Sequence, residues 1–274
     1  MSGERKIDTG TGQLLCAVRD GVGIITLNRP EARNALSREL SSALRRMIAG
    51  LGGDDSARAI LITGAGSAFC SGGDVKNMGD RREPTAETPD EKYRVMLERH
   101  RGSAGVLYAL RKPTVAALPG AAAGAGLALA LACDIRIAAA SAFVSTGYVK
   151  VGLSGDYGIA WLLTRAVGPA RARELMLTSE RVPAVRAAEI GLVHRVVPDD
   201  ALQAEAFALA KSLADSASVA IRYIKDNLDE ALDISHQAAI EREAERMLRA
   251  QGTEDHKEAV RAFVEKRKPV FKGR

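Results

Sequence analysis

Only three cysteines occur in this chain of 274 residues. Cys16, Cys70 and Cys133 are odd in number and show no Cys-x-x-Cys spacing, which argues against a disulfide framework or a zinc knuckle and leaves buried free thiols. Long apolar runs are scarce as well. The longest, Ala121 to Cys133, is too short and too rich in glycine to span a bilayer. The N-terminus has no basic stretch followed by an apolar one, so no secretory signal is expected and the reading is a cytoplasmic protein with no membrane partner. His100, His194, His236 and His256 have no metal-ligand spacing; they read as surface or structural groups, and no metal is expected. Gly124-Ala125-Gly126 lacks the third glycine of a dinucleotide fingerprint, and no Gly-Lys-Ser/Thr is present for a P-loop. Gly152-Leu153-Ser154-Gly155-Asp156 misses the Gly-x-Ser-x-Gly elbow at its fifth position.

What is present describes an ordinary globular chain, 46% hydrophobic and 27% charged, long enough to bury a large core. The net charge of +5 is local. Residues 266 to 274, KRKPVFKGR, hold five basic and no acidic residues, and the remainder has 34 of each sign. This tail is either a solvated terminus or a phosphate contact. Nucleic acid is not expected, because Phe271 is the one stacking surface near it and no basic stripe runs elsewhere.

Hydrophobic patterning alternates between strand and helix. Val22 to Leu27 reads as a strand stopped by Asn28-Arg29-Pro30. Leu36, Leu40, Ala43, Leu44, Met47, Ile48 and Leu51 recur at helical spacing, with Ser37 as cap and Gly52-Gly53 as stop. Ala59 to Thr63 reads as a buried strand. A charged helix from about Glu91 to Leu110, a strand over Pro113 to Leu118, a helix after Gly124 and a strand at Ile135 to Ile137 repeat the pattern, which implies right-handed crossovers and mostly parallel sheet. Residues 77 to 90 read as a mobile loop. From Tyr157 onward the chain reads as nearly all helix, with segments Tyr157 to Val167, Pro169 to Thr178 and Ala184 to Ile190, then longer helices after Pro198 and Thr253 as cap of the last.

The most informative features are two glycine-rich turns, Phe69-Cys70-Ser71-Gly72-Gly73-Asp74 and Gly120 to Gly126, each after a short apolar run. A turn without side chains lets a ligand approach the main chain, and a helix start leaves N–H groups unpaired. On spacing alone such turns only connect elements. Their company adds to this: Asn28-Arg29-Pro30-Glu31-Ala32-Arg33-Asn34-Ala35-Leu36 precedes both, Cys133-Asp134 follows, and Ala262 to Lys268 sits near the end. In this order and at these separations the chain resembles the enoyl-CoA hydratase/isomerase (crotonase) superfamily over residues 14 to 272.

The resemblance implies an α/β fold, a crotonase-like spiral of ββα units over residues 1–198 with a helical C-terminal region over 199–274 for oligomerisation and coenzyme A contacts. It implies an acyl-CoA thioester substrate, a homotrimer or dimer of trimers, and no cofactor beyond the coenzyme A of the substrate. The oxyanion donors would be the N–H groups of Gly73 and Ala125, with Arg33, Ser71, Gly72, Asp74, Gly124, Gly126 and Tyr148 lining the substrate site. Lys266 and Lys272 would meet coenzyme A phosphates, often across a subunit boundary. Asp74 has a local reading as a backbone acceptor holding its turn, and Asp134 reads as a helix terminator paired with a basic group. Cys70 has no histidine near it in sequence and reads as a packed thiol.

The acid/base residues depart from the two-glutamate hydratases of this superfamily. Their glutamate positions correspond here to Ala128 and Tyr148. Asp156 corresponds instead to an aspartate that dienoyl-CoA and ring-epoxide phenylacetyl-CoA isomerases use to move protons, and that chlorobenzoyl-CoA dehalogenase uses to attack carbon. One carboxylate suits a double-bond shift better than addition of water, so an isomerase is expected. A hydratase, a non-catalytic acyl-CoA-binding homologue, and a thioester hydrolase or dehalogenase are the alternatives. Asp156 also reads as an N-cap for a helix starting at Tyr157, and Tyr148 as a core tyrosine, an acyl-pocket wall or a hydrogen-bond donor to Asp156.

Overall fold

The computed structural model describes residues 3–74 and 88–274; most of the loop expected at 77 to 90 lies outside them. The strands are β1 (Arg5–Ile7), β2 (Leu14–Arg19), β3 (Val22–Leu27), β4 (Ala59–Gly64), β5 (Ala68–Cys70), β6 (Thr114–Leu118), β7 (Ala121–Ala123), β8 (Ile135–Ala139), β9 (Phe143–Ser145), β10 (Val182–Pro183) and β11 (Arg195–Val197). The helices are α1 (Arg38–Gly53), α2 (Pro89–His100), α3 (Val106–Ala109), α4 (Ala125–Leu131), α5 (Ile159–Thr178), α6 (Ala184–Glu189), α7 (Leu202–Ala214), α8 (Ser218–Glu230), α9 (His236–Gln251) and α10 (Glu254–Val264).

Two sheets share the strands in alternation. The larger has the order β1-β2-β3-β4-β6-β8-β11 and the smaller β10-β9-β7-β5. From β3 onward the larger sheet is parallel, whereas β1, β2 and β3 form an antiparallel meander. The pairs β4–β5, β6–β7 and β8–β9 therefore each place their first strand in the large sheet and their second in the small one. A helix follows each pair and returns the chain to the next, which produces a spiral of ββα turns. Parallel strands need such crossovers, and being covered on both faces they are continuously apolar. β4 and β6 are buried at every position.

The second strand of each pair has only three residues, too few to show a period. β11 was likewise hidden within the stretch expected to be helical; it lies parallel to β8, pairing Arg195 with Ile137, and Pro198 follows it. α1 has the expected cap, Ser37 accepting from the Leu40 N–H, and runs through Gly52 and Gly53 to its C-cap at Asp54. α2 begins earlier than expected, at Pro89, with a capping box between Thr88 and Glu91. It passes into a π turn at Arg101–Gly105 before α3. α5 starts at Ile159 rather than Tyr157, because Tyr157 and Gly158 are both left-handed (φ 52° and 75°). Gly168 breaks it (φ 79°, ψ 164°), where the sequence separates two helices before Pro169.

The C-terminal helices are tied to the sheet at named points. Leu202, Ala206, Ala210 and Ala214 of α7 are buried in the same core as β3, β4 and β6. Lys225 of α8 donates to Asp134 at 2.8 Å, and Asp134 also accepts from the Thr114 N–H and hydroxyl. Asp134 is thus the paired carboxylate the sequence suggests. Among the described residues no helix is long and apolar enough to cross a membrane.

Candidate active site

The two glycine turns meet. Gly72 is left-handed (φ 98°), and a Cβ built on it would lie 3.0 Å from the Ala123 carbonyl oxygen and 3.6 Å from the Ala125 nitrogen. Only glycine permits both that φ and that approach. Gly73 forms a parallel bridge with Leu36, next to a bond from the Leu36 N–H to the Gly72 carbonyl (2.8 Å). On the other side Gly124 caps α4 with φ 52° and ψ −125°. Ala125 is the first residue of that helix, so its N–H has no intrahelical acceptor.

The segment before α1 braces the first turn. Asn34, fully buried and left-handed (φ 56°), accepts from the Arg29 N–H and donates to the Ala65 and Ala68 carbonyls. Arg29 donates to the Ala35 carbonyl and pairs with Asp74 at 3.2 Å. Asp74, expected to line the substrate site, has this ion pair as a structural role. The Arg33 carbonyl accepts from the Ser71 N–H, while the Arg33 side chain is exposed beside the turn. The Ser71 hydroxyl faces the Ala32 carbonyl at 3.5 Å.

The side-chain direction of Gly126 is turned to packing. A Cβ there would lie 2.3 Å from the Cys70 carbonyl oxygen and 2.7 Å from the Cys70 Cβ. Its lack of a side chain lets α4 sit directly on β5. Cys70 is the packed thiol the sequence suggests; burial raises its pKa to about 12, so it is held as the unreactive thiol.

Tyr148 lies against the second turn, with its Cζ 3.8 Å from a Cβ built on Gly124. Its hydroxyl donates to Asp156 Oδ1 at 2.5 Å. Two of its sequence readings hold together: Tyr148 is buried in the hydrophobic core, and its hydroxyl is bonded to Asp156. Burial and then the Asp156 charge push the Tyr148 phenol well above its ordinary range, so it remains a donor. The N-cap reading of Asp156 fails: α5 has no side-chain cap, because the left-handed Tyr157 and Gly158 separate the carboxylate from its first turn. The Asp156 side chain is 30% exposed. Of the apolar residues near it in sequence, Leu153 is exposed and Ile159 is buried.

His100 is half-buried beside the turn before α5. Its ring centroid is 4.2 Å from that of Tyr157, and its Nε2 is 4.0 Å from Asp156 Oδ2. Burial lowers its pKa below the ordinary 6.5, against the opposing pull of Asp156. Among the described residues no cluster of His, Cys, Asp and Glu could hold a metal ion.

Lys272 lies away from the glycine turns within one chain. The Phe271 carbonyl accepts from Arg58, just before β4, and the Lys272 N–H donates to Asp255. The first glycine turn lies past the other end of β3 and β4, where Asp74 meets Arg29. Six-residue strands put about 20 Å between those ends.

Paired backbone turns with one nearby carboxylate form a site able to hold a carbonyl oxygen and move a proton beside it. A family profile described as enoyl-CoA hydratase/isomerase matches residues 17–274. The chain belongs to the enoyl-CoA hydratase/isomerase family. This family, part of the crotonase superfamily, acts on acyl-CoA thioesters. The chain is 38% identical over 250 residues to the probable enoyl-CoA hydratase echA8 of Mycobacterium bovis, covering 91% of this chain and 94% of that one. It is also 38% identical over 269 residues to the 1,2-epoxyphenylacetyl-CoA isomerase of Escherichia coli, covering 95% and 98%. The crystal structure of an enoyl-CoA hydratase from Bacillus anthracis superimposes with a TM-score of 0.84 at 32% identity, covering 93% and 96%. Both activities are thus represented among relatives of this hydratase/isomerase family member.

Proposed function

We propose that this family member isomerises an unsaturated or aromatic acyl-CoA, with Asp156 carrying the proton. The supporting observation is the Asp156 carboxylate near the second glycine turn, its Oδ1 held by Tyr148, whereas Asp74 of the first turn is engaged by Arg29. The two positions that carry glutamates in hydratases hold Ala128, fully buried in α4, and Tyr148. In this reading the Gly73 and Ala125 N–H groups bind the thioester oxygen. Asp156 takes a proton from carbon, the electron pair is delocalised as an enolate, and the same proton returns at another carbon with no net change in mass. One oxyanion donor is typically worth about 2.7 to 4 kcal/mol of transition-state stabilisation. No cofactor is required beyond the substrate's own coenzyme A.

A homotrimer or dimer of trimers accompanies this reading. Exposed Met247, Leu248, Phe263 and Val264 on α9 and α10 supply apolar surface for it. Because the tail lies away from its own chain's turns, Lys266 and Lys272 would reach coenzyme A phosphates across a subunit boundary.

Hydration of a 2-enoyl-CoA is the second reading, favoured by the hydratase names of several relatives. Mass spectrometry and ultraviolet spectroscopy with 2-enoyl, 3-enoyl, dienoyl and aromatic acyl-CoAs separate the two. The isomerase gives a product of unchanged mass and shifted chromophore, lost in Asp156→Ala. Gain of one water overturns it in favour of the hydratase, release of coenzyme A or halide points to a nucleophilic Asp156, and tight binding without turnover leaves a non-catalytic acyl-CoA-binding protein.

A further inference from the structure

The two oxygens of Asp156 are in different situations. Oδ1 accepts the Tyr148 hydroxyl, whereas His100 Nε2 stands 4.0 Å from Oδ2. That separation is beyond a hydrogen bond and too short for an intervening water. Nε2 is buried and has no hydrogen-bond partner among the described residues. A buried polar atom left unpaired is costly, and a native fold retains one where strain, catalysis or a later partner accounts for it.

The local backbone directs His100 here. It is the last residue of α2, and the π turn Arg101–Gly105 follows at once. A π turn shifts the helical register and recurs at functional sites. From the other side the left-handed Tyr157 turns its ring onto the imidazole, in the residue directly after Asp156. The groups facing His100 are Asp156 and Tyr157 from the turn before α5 and Arg99 from its own helix. Arg38 and Arg45 of α1 share a neighbouring cleft with Arg99.

We propose that His100 is a positioning residue that exchanges a proton with Asp156, resting on the reading of Asp156 as the proton carrier. After Asp156 Oδ2 takes a proton from substrate carbon, the carboxyl group turns toward His100 and closes the 4.0 Å gap to a hydrogen bond; the O–H bond then breaks and an N–H bond forms at Nε2, leaving an imidazolium beside a carboxylate. The reverse transfer returns the proton before it is delivered to the second carbon. A neutral imidazole is needed to receive it, and burial favours that form by lowering the His100 pKa. While the proton is on His100, turning of the ring, whose side chain is 16% exposed, brings it to solvent for exchange, which one carboxylic acid acting alone does not require.

Two measurements test this on the full-length protein. The first needs no substrate: nitrogen-15 NMR titration of His100 in wild type and in Asp156→Asn. Coupling predicts a His100 midpoint shifted to lower pH in the variant; the same midpoint in both overturns the proposal. The second uses whichever panel acyl-CoA the wild type isomerises, deuterated at the carbon that loses hydrogen. Wild type should wash part of the label into water, whereas His100→Gln should retain more in the product and lose kcat by about tenfold with KM held. His100→Asn serves if thermal melting shows the glutamine variant unfolded. Equal label retention with an unchanged pH profile overturns the exchange even when Asp156→Ala is inactive. Persistent isomerisation in Asp156→Ala overturns the reading of Asp156 itself.

Discussion

The Tyr148 hydroxyl donates to Asp156 Oδ1 across 2.5 Å, joining a residue beside the second glycine turn to one before α5. Removing the donor by Tyr148→Phe keeps the ring packed against Gly124 and frees Oδ1. A hydrogen bond to a charged group is worth about 1.5–3 kcal/mol, so kcat should fall roughly ten- to a hundredfold with little change in KM. Steady-state kinetics on the isomerised acyl-CoA checks this. Undiminished kcat would show that Asp156 needs no such anchor.

Gly126 and Gly50 should respond oppositely to alanine. At Gly126 the added methyl would meet the Cys70 carbonyl at 2.3 Å, whereas at Gly50 in α1 nothing lies within 4 Å. Gly126→Ala forces α4 off β5 and should cost about 1–3 kcal/mol or more. Gly50→Ala should gain up to about 1 kcal/mol from helix propensity. Urea unfolding of the two variants decides; a neutral Gly126→Ala would mean that α4 does not sit so close to β5.

Lys225 links the helical C-terminal region to the sheet through Asp134. Lys225→Met leaves Asp134 with its two Thr114 bonds and partial solvent access, so the loss should be about 1–3 kcal/mol, short of that for a fully buried broken pair. A lowered midpoint in chemical denaturation is expected. An unchanged midpoint would show that packing of α8 alone holds it.

Thiol ionisation should make the fold less stable in alkali. Burial raises Cys16 to about 11 and Cys70 and Cys133 to about 12, from an ordinary 9.0. Above pH 9 the unfolded chain loses these protons while the folded one keeps them. The unfolded state then binds fewer protons, so stability declines as pH rises between 9 and about 12. At pH 8 a thiol-specific chromogenic reagent should leave all three cysteines unmodified in the native protein and react with all three in denaturant. Rapid native labelling would contradict their burial.

The long elements were legible because each carries its own signal. α1 has a cap and a helical stripe, β4 is an unbroken apolar run, and Gly168-Pro169 marks a helix break. The glycine turns were legible for the same reason, since a backbone that must turn sharply excludes side chains locally. β5, β7, β9 and β11 were not, because three residues show no period and their pairing energy comes from strands distant in sequence.

The sequence by itself determined the α/β alternation and the two turns, properties of residue types at fixed separations along the chain, and its resemblance to the family implied that Ala128 and Tyr148 stand at the hydratase glutamate positions. Only the tertiary structure decided that Gly126 serves packing, that Asp156 bonds to Tyr148 instead of capping α5, and that the tail with Lys272 docks away from its own turns. It also brought His100 to Asp156. Those outcomes depend on distances between segments far apart in sequence, which are set by how helices and strands pack against one another.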